Sequence, residues 1–322
     1  MKDSDDVYEM VRAIADETGF SGEMRREEPM AGHTAFTVGG PAEVWARPEG
    51  ECFPGFAAAL AGKAWALGVP LFILGGGANL VVADQGIRGV VLDTTGWTGW
   101  DFSEAPGSGV SMRVRSGTQT DQAANAAAER GYGGLEFLAG LPGVIGGALW
   151  MNARCYDRQV SDALLKTEIL DFVQDEDLRR LWVPRKEEEF GYKKSPFQQR
   201  DVLILAAEFR LEKRNPEAIR AEMAALRKDR EDKGHYRLPS AGSVFKNNHR
   251  FGKPAGKILD ELGLRGLRVG GAQVAPWHGN IIVNTGNASA ADIRRLTEML
   301  AERVKRKTGF EFENEIMFVG DW

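Results

Sequence analysis

Cysteine and histidine are scarce in this sequence, and their scarcity narrows the chemistry. Only two cysteines occur, Cys52 and Cys155, far apart and outside any CxxC, and the four histidines form no cluster. That excludes a zinc site or a disulfide framework, leaves no metal centre to expect, and fits a reducing compartment. Long apolar runs are missing too: no stretch of about 18 uncharged apolar residues could span a bilayer. The start, MKDSDDVYEM, is acidic where an export signal needs positive charge, so the expected location is cytoplasmic. Basic excess is absent: the formal net charge of -5 argues against nucleic acid or membrane surfaces as partners. Internal repeats and low-complexity segments are also absent.

What is plentiful is glycine, 39 residues in 322 and above the usual roughly 7%, which points to loops where backbone must come close to something. With 43% apolar residues the chain can fill the cores of two or three domains. Val7, Met10, Val11 and Ile14 sit at helical spacing within 5–18. After the charged stretch GEMRREEP come short β-type runs broken by glycine: TAFTVGG, EVWA, PLFILGGG and GVVLD. A helix-like AAALAGKAWALG lies among them. They predict a first α/β subdomain over 1–96. VSMRVR, an alanine-rich helix at 120–130, TEILDFV and VLILAAEF predict a second over 97–215. Asn215-Pro216 opens a third region, 216–309, with a cap residue and a first-turn proline. Its last helix starts at Ser289 with Asp292 three residues on, and ends KRKTG at Gly309. The tail FEFENEIMFV predicts a strand that returns, within 310–322, to the second subdomain. The expected fold class is α+β.

Two glycine segments carry the first functional signal. PLFILGGGANLVV runs a strand into Gly75, Gly76 and Gly77, but Leu80 stands where a dinucleotide fingerprint needs its last glycine, so that fingerprint fails. A turn of bare N–H groups remains, able to hold an anion. GLEFLAGLPGVIGGALWMNA places Gly140, Gly143, Gly146 and Gly147 in an apolar run. Each glycine in a regular element costs about 0.5–1 kcal/mol relative to alanine, and close approach to a flat, phosphate-bearing ligand would explain them. Two such loops predict a cofactor held between subdomains.

The ordered blocks HTAFTVGGPAEVWARP, GVPLFILGGGANLVVAD, SGTQTDQAANAAAERGYGGLEFLAGLPGVIGGALWMNA, PSAGSVFKN, AGKILDELGLRGLRVGGAQVAPWHGNIIVN and FENEI resemble the MurB reductases, of their second, shorter type, from about His33 to Gly320. The resemblance implies a two-subdomain module of the FAD-linked oxidase and MurB kind plus an α/β substrate-binding domain. It implies non-covalent FAD, with NADPH as co-substrate, reducing the enolpyruvyl ether of UDP-GlcNAc to UDP-N-acetylmuramate. Gly75, Gly76, Gly77, Ala78, Asn79 and Leu80, with Gly140, Pro142, Gly143, Val144, Gly146 and Gly147, would then bind the cofactor. The partners are small molecules, the sugar nucleotide and NADPH, and the chain is expected to be a monomer.

An enol ether is electron-rich and resists hydride unless its carboxylate is polarised, and an acid must then protonate the neighbouring carbon. Ser243 in AGSVFKN matches the family's proton donor and Glu315 in FENEI its carboxylate. The family's arginine, which contacts the substrate carboxylate, is Lys193 in FGYKKSPF, next to Tyr192. Lysine keeps the charge and loses the planar fork. Arg154 is a candidate substitute: NARCYD carries Arg154 and Asp157 where the family has glycines. Asn247 matches a substrate-binding residue, followed by Asn248 in place of the usual proline. Lys233 is placed to meet the diphosphate, and Arg265 and His278 lie in the substrate-domain blocks. Two other readings stay open. One is a flavin oxidase of the same architecture, which would keep its colour when denatured if His33 or Cys52 tethered the flavin. The other is a non-catalytic binder of FAD or UDP-sugar, motivated by Lys193 and the altered NARCYD.

Overall fold

The structure, a computed structural model, describes residues 4–105, 109–172 and 179–322. Its first helix, α1 (Ser4–Thr18), buries Val7, Met10, Val11 and Ile14, the face read from the sequence. Then follow β1 (Gly22–Pro29), β2 (Pro41–Pro48), α2 (Phe53–Leu67), β3 (Leu71–Leu74), β4 (Leu80–Val82) and β5 (Ile87–Asp93). The stretch GEMRREEP, read as an interruption, is the strand β1, whose residues are all exposed or half-buried. TAFTVGG is not a strand. Thr34 Oγ1 donates to the Val38 carbonyl at 2.7 Å, and Thr37 is left-handed at φ 55°. The segment therefore coils on itself.

The chain continues through β6 (Trp100–Ala105), β7 (Gly109–Arg115), α3 (Thr120–Glu129), β8 (Tyr132–Gly133) and α4 (Ile145–Trp150). Next come β9 (Arg154–Cys155), β10 (Arg158–Gln159), α5 (Val160–Ala163), β11 (Leu164–Asp171), β12 (Arg179–Pro184) and β13 (Val202–Lys213). The rest is α6 (Pro216–Asp232), α7 (Ala255–Glu261), β14 (Arg268–Val269), β15 (Ala272–Val274), β16 (Ile282–Asn284), α8 (Ala290–Thr308) and β17 (Met317–Val319). The fold is α+β. Among the described residues no helix is long and apolar enough to cross a membrane.

The chain groups into two compact units, not the three expected over 1–96, 97–215 and 216–309. The first unit is Met1–Arg26, Val44–Gly76 and Gly89–Lys228. Its sheets run β1-β2-β5-β3 and β12-β11-β13-β7-β6, the latter antiparallel with β8 on β13. The reason for the merger is a shared core: Phe53, Phe56, Leu60 and Leu92 pack with Leu170, Leu203 and Leu205. A second core fills the space between the large sheet and the alanine face of α3, with Phe137, Ile145 and Leu149.

The second unit is Glu27–Glu43, Gly77–Arg88 and Asp229–Trp322. Here α7 and α8 pack Ile258, Leu259, Ile293 and Leu296 against Phe36, Val81 and Ile316. The tail does not return to 97–215. β17 pairs in parallel with β4, Met317 opposite Leu80 and Val319 opposite Val82. Phe310 and Phe312, read as strand residues, stack on Phe251 instead, with ring centroids 4.3 and 5.8 Å apart.

Candidate active site

Ser243 and Glu315 come together in the second unit. Ser243 bridges Ile281, and the Val244 N–H donates to the Asn280 carbonyl at 2.9 Å. On the other side the Glu315 N–H donates to the Val244 carbonyl at 2.7 Å. Asn280, 4% exposed, clamps the segment: its Oδ1 accepts from the Phe245 N–H at 3.0 Å and its Nδ2 donates to the Phe245 carbonyl at 2.8 Å. Glu315 is held from a third direction, where Asn79 Nδ2 donates to its carbonyl at 2.9 Å. The Met317 N–H donates to the Asn79 carbonyl at 2.9 Å. Asn79, expected at the cofactor, is thus also a clamp on the segment bearing Glu315, just before β17. Glu313 pairs with Lys246.

A cavity of about 640 Å³ opens at Ser243, lined also by Asn247, Lys257, Asp260, His278 and Asn280. Asn247 Oδ1 accepts from the Ala255 N–H at 2.9 Å, so the same residue starts α7. His278 Nδ1 accepts from the Asn280 N–H at 3.1 Å, which leaves its hydrogen on Nε2 when neutral. Burial lowers its pKa, against the pull of Asp260. His235 faces it, ring centroids 6.4 Å apart, and burial, with Arg230 adding to it, pushes its pKa down to about 4. Arg265 reaches the cavity through Asp260: it makes two hydrogen bonds to that carboxylate and holds its pKa below the usual value. Lys233 is exposed and pairs with Asp229 at 2.6 Å.

The glycine segments meet inside the first unit. A Cβ on Gly76 would lie 2.8 Å from the Gly143 Cα, and one on Gly75 3.1 Å from a methyl of Val144. Gly146 packs on Ser116, its would-be Cβ 2.9 Å from the serine Cβ. Gly140 and Gly143 are left-handed, at φ 69° and 106°. In the second unit Gly77 leaves room for the His33 carbonyl, Ala78 lies in a turn, and Leu80 begins β4. Gly75, Gly76, Gly77 and Gly146 therefore allow close contacts within the protein. The remainder differs. Gly147 has nothing within 4 Å of a Cβ position, Pro142 is exposed, and the buried Ser116 Oγ has no hydrogen-bond partner. Bare backbone, an open face and an orphaned hydroxyl suit a polar, flat ligand such as FAD.

Lys193 occupies a turn in the first unit, Gly191–Lys194, closed by Lys194 N–H donating to the Gly191 carbonyl at 3.1 Å. Its φ is 56°. Tyr192 beside it is 39% exposed. Arg154 stands on the β9–β10 hairpin, opposite Gln159, and its guanidinium donates to Asp157 at 3.1 Å. Tyr156 and Asp157 turn the hairpin at φ 51° and 63°, the geometry of a type I′ turn. Asp157 thus adopts the left-handed backbone for which glycine was expected, a conformation aspartate tolerates.

Residues 234–319 match the family model of the UDP-N-acetylenolpyruvoylglucosamine reductase C-terminal domain, and residues 57–179 match an FAD binding domain. The UDP-N-acetylenolpyruvoylglucosamine reductase of Treponema denticola is 40% identical over 306 residues, 92% of this chain and 93% of that protein. The Geobacter metallireducens enzyme of that name is 36% identical, covering 99% of both. The chain belongs to the MurB family. The MurB crystal structure from Thermus caldophilus superposes with a TM-score of 0.73, at 30% identity, over 93% of this chain and 99% of that one. The MurB C-terminal model takes in Ser243, Asn247, Arg265, His278 and Glu315, while Tyr192, Lys193 and Lys233 fall outside both models. Sequence reading missed Asn152, Asn280 and Asp260. The two asparagines stand among apolar or glycine neighbours, a contrast that is the only signal the sequence offers for them, and Asp260, beside Glu261, offers none.

Proposed function

We propose that this MurB-family chain reduces UDP-N-acetylenolpyruvoylglucosamine to UDP-N-acetylmuramate with NADPH, using Ser243, Glu315 and Lys193 on the enolpyruvyl group. The protein is an FAD-dependent oxidoreductase of peptidoglycan precursor synthesis. The observation that carries the residue roles is the joining of Ser243 and Glu315 through Val244 beside the cavity. FAD, when bound, carries the hydride of NADPH. Gly147 and the Ser116 hydroxyl supply its bare and polar contacts, with Gly140, Gly143 and Gly75–Gly77 shaping the loops.

The chain's own work is to handle the charge and the proton. Lys193 sets a point charge against the substrate carboxylate, without the two-pronged match of arginine. After hydride adds to the methylene carbon, the electron pair resides on that carboxylate, and the Ser243 hydroxyl donates a proton to the neighbouring carbon. Glu315 helps polarise or protonate the same centre. Asn247, His278, Lys257 and Asp260 hold the sugar nucleotide, with Arg265 fixing Asp260 and Lys233 exchanging Asp229 for the diphosphate. Arg154 stands second to Lys193 for the carboxylate, and unchanged turnover in Arg154→Ala removes it. In this reading the enzyme works in the cytoplasm as a monomer with small-molecule partners.

The test is anaerobic. NADPH should bleach the bound flavin, and the enolpyruvyl sugar nucleotide should restore its colour. Ser243→Ala should slow the second step about a hundredfold or more and leave the first alone. Flavin that NADPH reduces but the sugar nucleotide never reoxidises would overturn the reading.

A further inference from the structure

Asn152 lies two residues past α4 and is fully buried, with a left-handed backbone at φ 42°. Every polar group of its side chain is engaged. Oδ1 accepts from the Ser161 N–H at 3.2 Å, and Nδ2 donates to Gln159 Oε1 at 3.1 Å and to the Gly191 carbonyl at 2.9 Å. That last carbonyl is the one that closes the Lys193 turn. A second amide secures the other end of the turn: Gln198 Nε2 donates to the Lys193 carbonyl at 3.1 Å and to the Trp150 carbonyl at 2.9 Å. Ser195 Oγ donates to Trp150 as well, at 2.7 Å. The turn is therefore fastened at both ends to the last residue of α4 and to the asparagine beyond it. The same helix carries Gly146 and Gly147 of the glycine segment in its first turn.

A lysine with positive φ is uncommon and costs of the order of 1 kcal/mol or more, persisting only where its surroundings over-determine it. The two amides are that over-determination. We propose that Asn152, seconded by Gln198, is a positioning residue: it locks the Gly191–Lys194 turn so that the Lys193 ammonium is presented in one fixed place to the substrate carboxylate. The inference rests on the role of Lys193 given above. Its chemistry explains why asparagine stands here. Aspartate would face the Gly191 carbonyl with another acceptor, and glycine would keep the backbone but leave that carbonyl with one bond fewer.

The test compares two ligands on the FAD-loaded protein by titration calorimetry. UDP-N-acetylmuramate carries the lactyl carboxylate, and UDP-N-acetylglucosamine does not. Asn152→Gly should weaken UDP-N-acetylmuramate about tenfold, the loss of one charge-assisted contact, and leave UDP-N-acetylglucosamine within twofold. Gln198→Met, which removes the other amide with little change of volume, should move the same ligand in the same direction. In a Lys193→Ala background Asn152→Gly should add less than twofold. Equal weakening of both ligands, or a full effect of Asn152→Gly on top of Lys193→Ala, would make the asparagine merely structural and overturn the proposal. If Lys193→Ala itself binds both ligands normally, the assignment of Lys193 fails first and the positioning role falls with it. Normal binding by Asn152→Gly together with weak binding by Lys193→Ala defeats the positioning role alone.

Discussion

Lys193 sits where type II turns take glycine or asparagine, at the third position of a four-residue turn with φ 56°. A residue kept in such a conformation is kept for its side chain, so stability and function should part company there. Lys193→Gly should hold or raise stability, by up to about 1 kcal/mol in denaturant unfolding. Reoxidation of the flavin by the sugar nucleotide should fall at least tenfold, the loss of one charge-assisted contact. A variant that loses stability and keeps its rate would show that the lysine serves the fold. At this scale the sequence was informative where a residue type is tied to chemistry. The family resemblance of their blocks singled out Ser243 and Glu315, and the structure sets them on hydrogen-bonded neighbouring segments. Asn152 and Asn280 were illegible because their importance lies in buried hydrogen bonds to segments far away in sequence. No local pattern encodes such bonds.

Among the elements, α8 shows which part of a helix start is written locally. Ser289 and Asp292 form the capping box, with the Ser289 Oγ accepting from the Asp292 N–H at 3.1 Å and the Asp292 carboxylate accepting the Ser289 N–H at 3.1 Å. That pair was readable from its spacing. The Asp84 carboxylate was not, yet it accepts the Ala290 and Ala291 N–H groups at 2.8 and 2.9 Å. These are two of the donors every helix leaves open at its start, and the negative charge also suits the helix dipole. Asp84→Ala should therefore lower unfolding stability by about 1–2 kcal/mol, seen as a lower urea midpoint with unchanged slope. Asp84→Asn, which keeps only one accepting oxygen and no charge, should fall between. No change in midpoint would mean that water replaces the carboxylate. The misread elements share one cause. β1 is a charged strand with no continuous apolar face, Met24 being its contact with the core, and TAFTVGG has strand composition but turns through its own threonine hydroxyl.

For the molecule as a whole, sequence order suggested three consecutive regions, whereas packing makes two units from interleaved segments. Hydrophobic pattern reports which face of an element is buried but not which distant element covers it, so Leu203 and Phe53 could not be assigned to one core beforehand. A global property follows from one pair of rings in the second unit. His235 and His278 are half-buried side by side, their rings tilted by 46°, and both have lowered pKa values, His235 down to about 4. An unfolded imidazole titrates near about 6.5. Above that pH both states are neutral and the pair contributes no pH dependence. Below it the unfolded chain takes up protons that the folded chain refuses, so stability must fall as pH drops from about 6.5 toward about 4. The carboxylates held low, Asp121, Glu168 and Asp260, lose their contribution only as pH falls below the usual carboxylate range near about 4. Between about pH 6.5 and 5 the imidazoles should therefore set the slope. The surroundings of His235 reinforce this, since Arg230, His278 and Lys233 oppose its protonation against the pull of Asp229. Thermal melts from about pH 7.5 to 5 should show the wild-type midpoint falling more steeply than that of His235→Gln, whose side chain carries no proton to refuse. Identical slopes would place the acid sensitivity elsewhere.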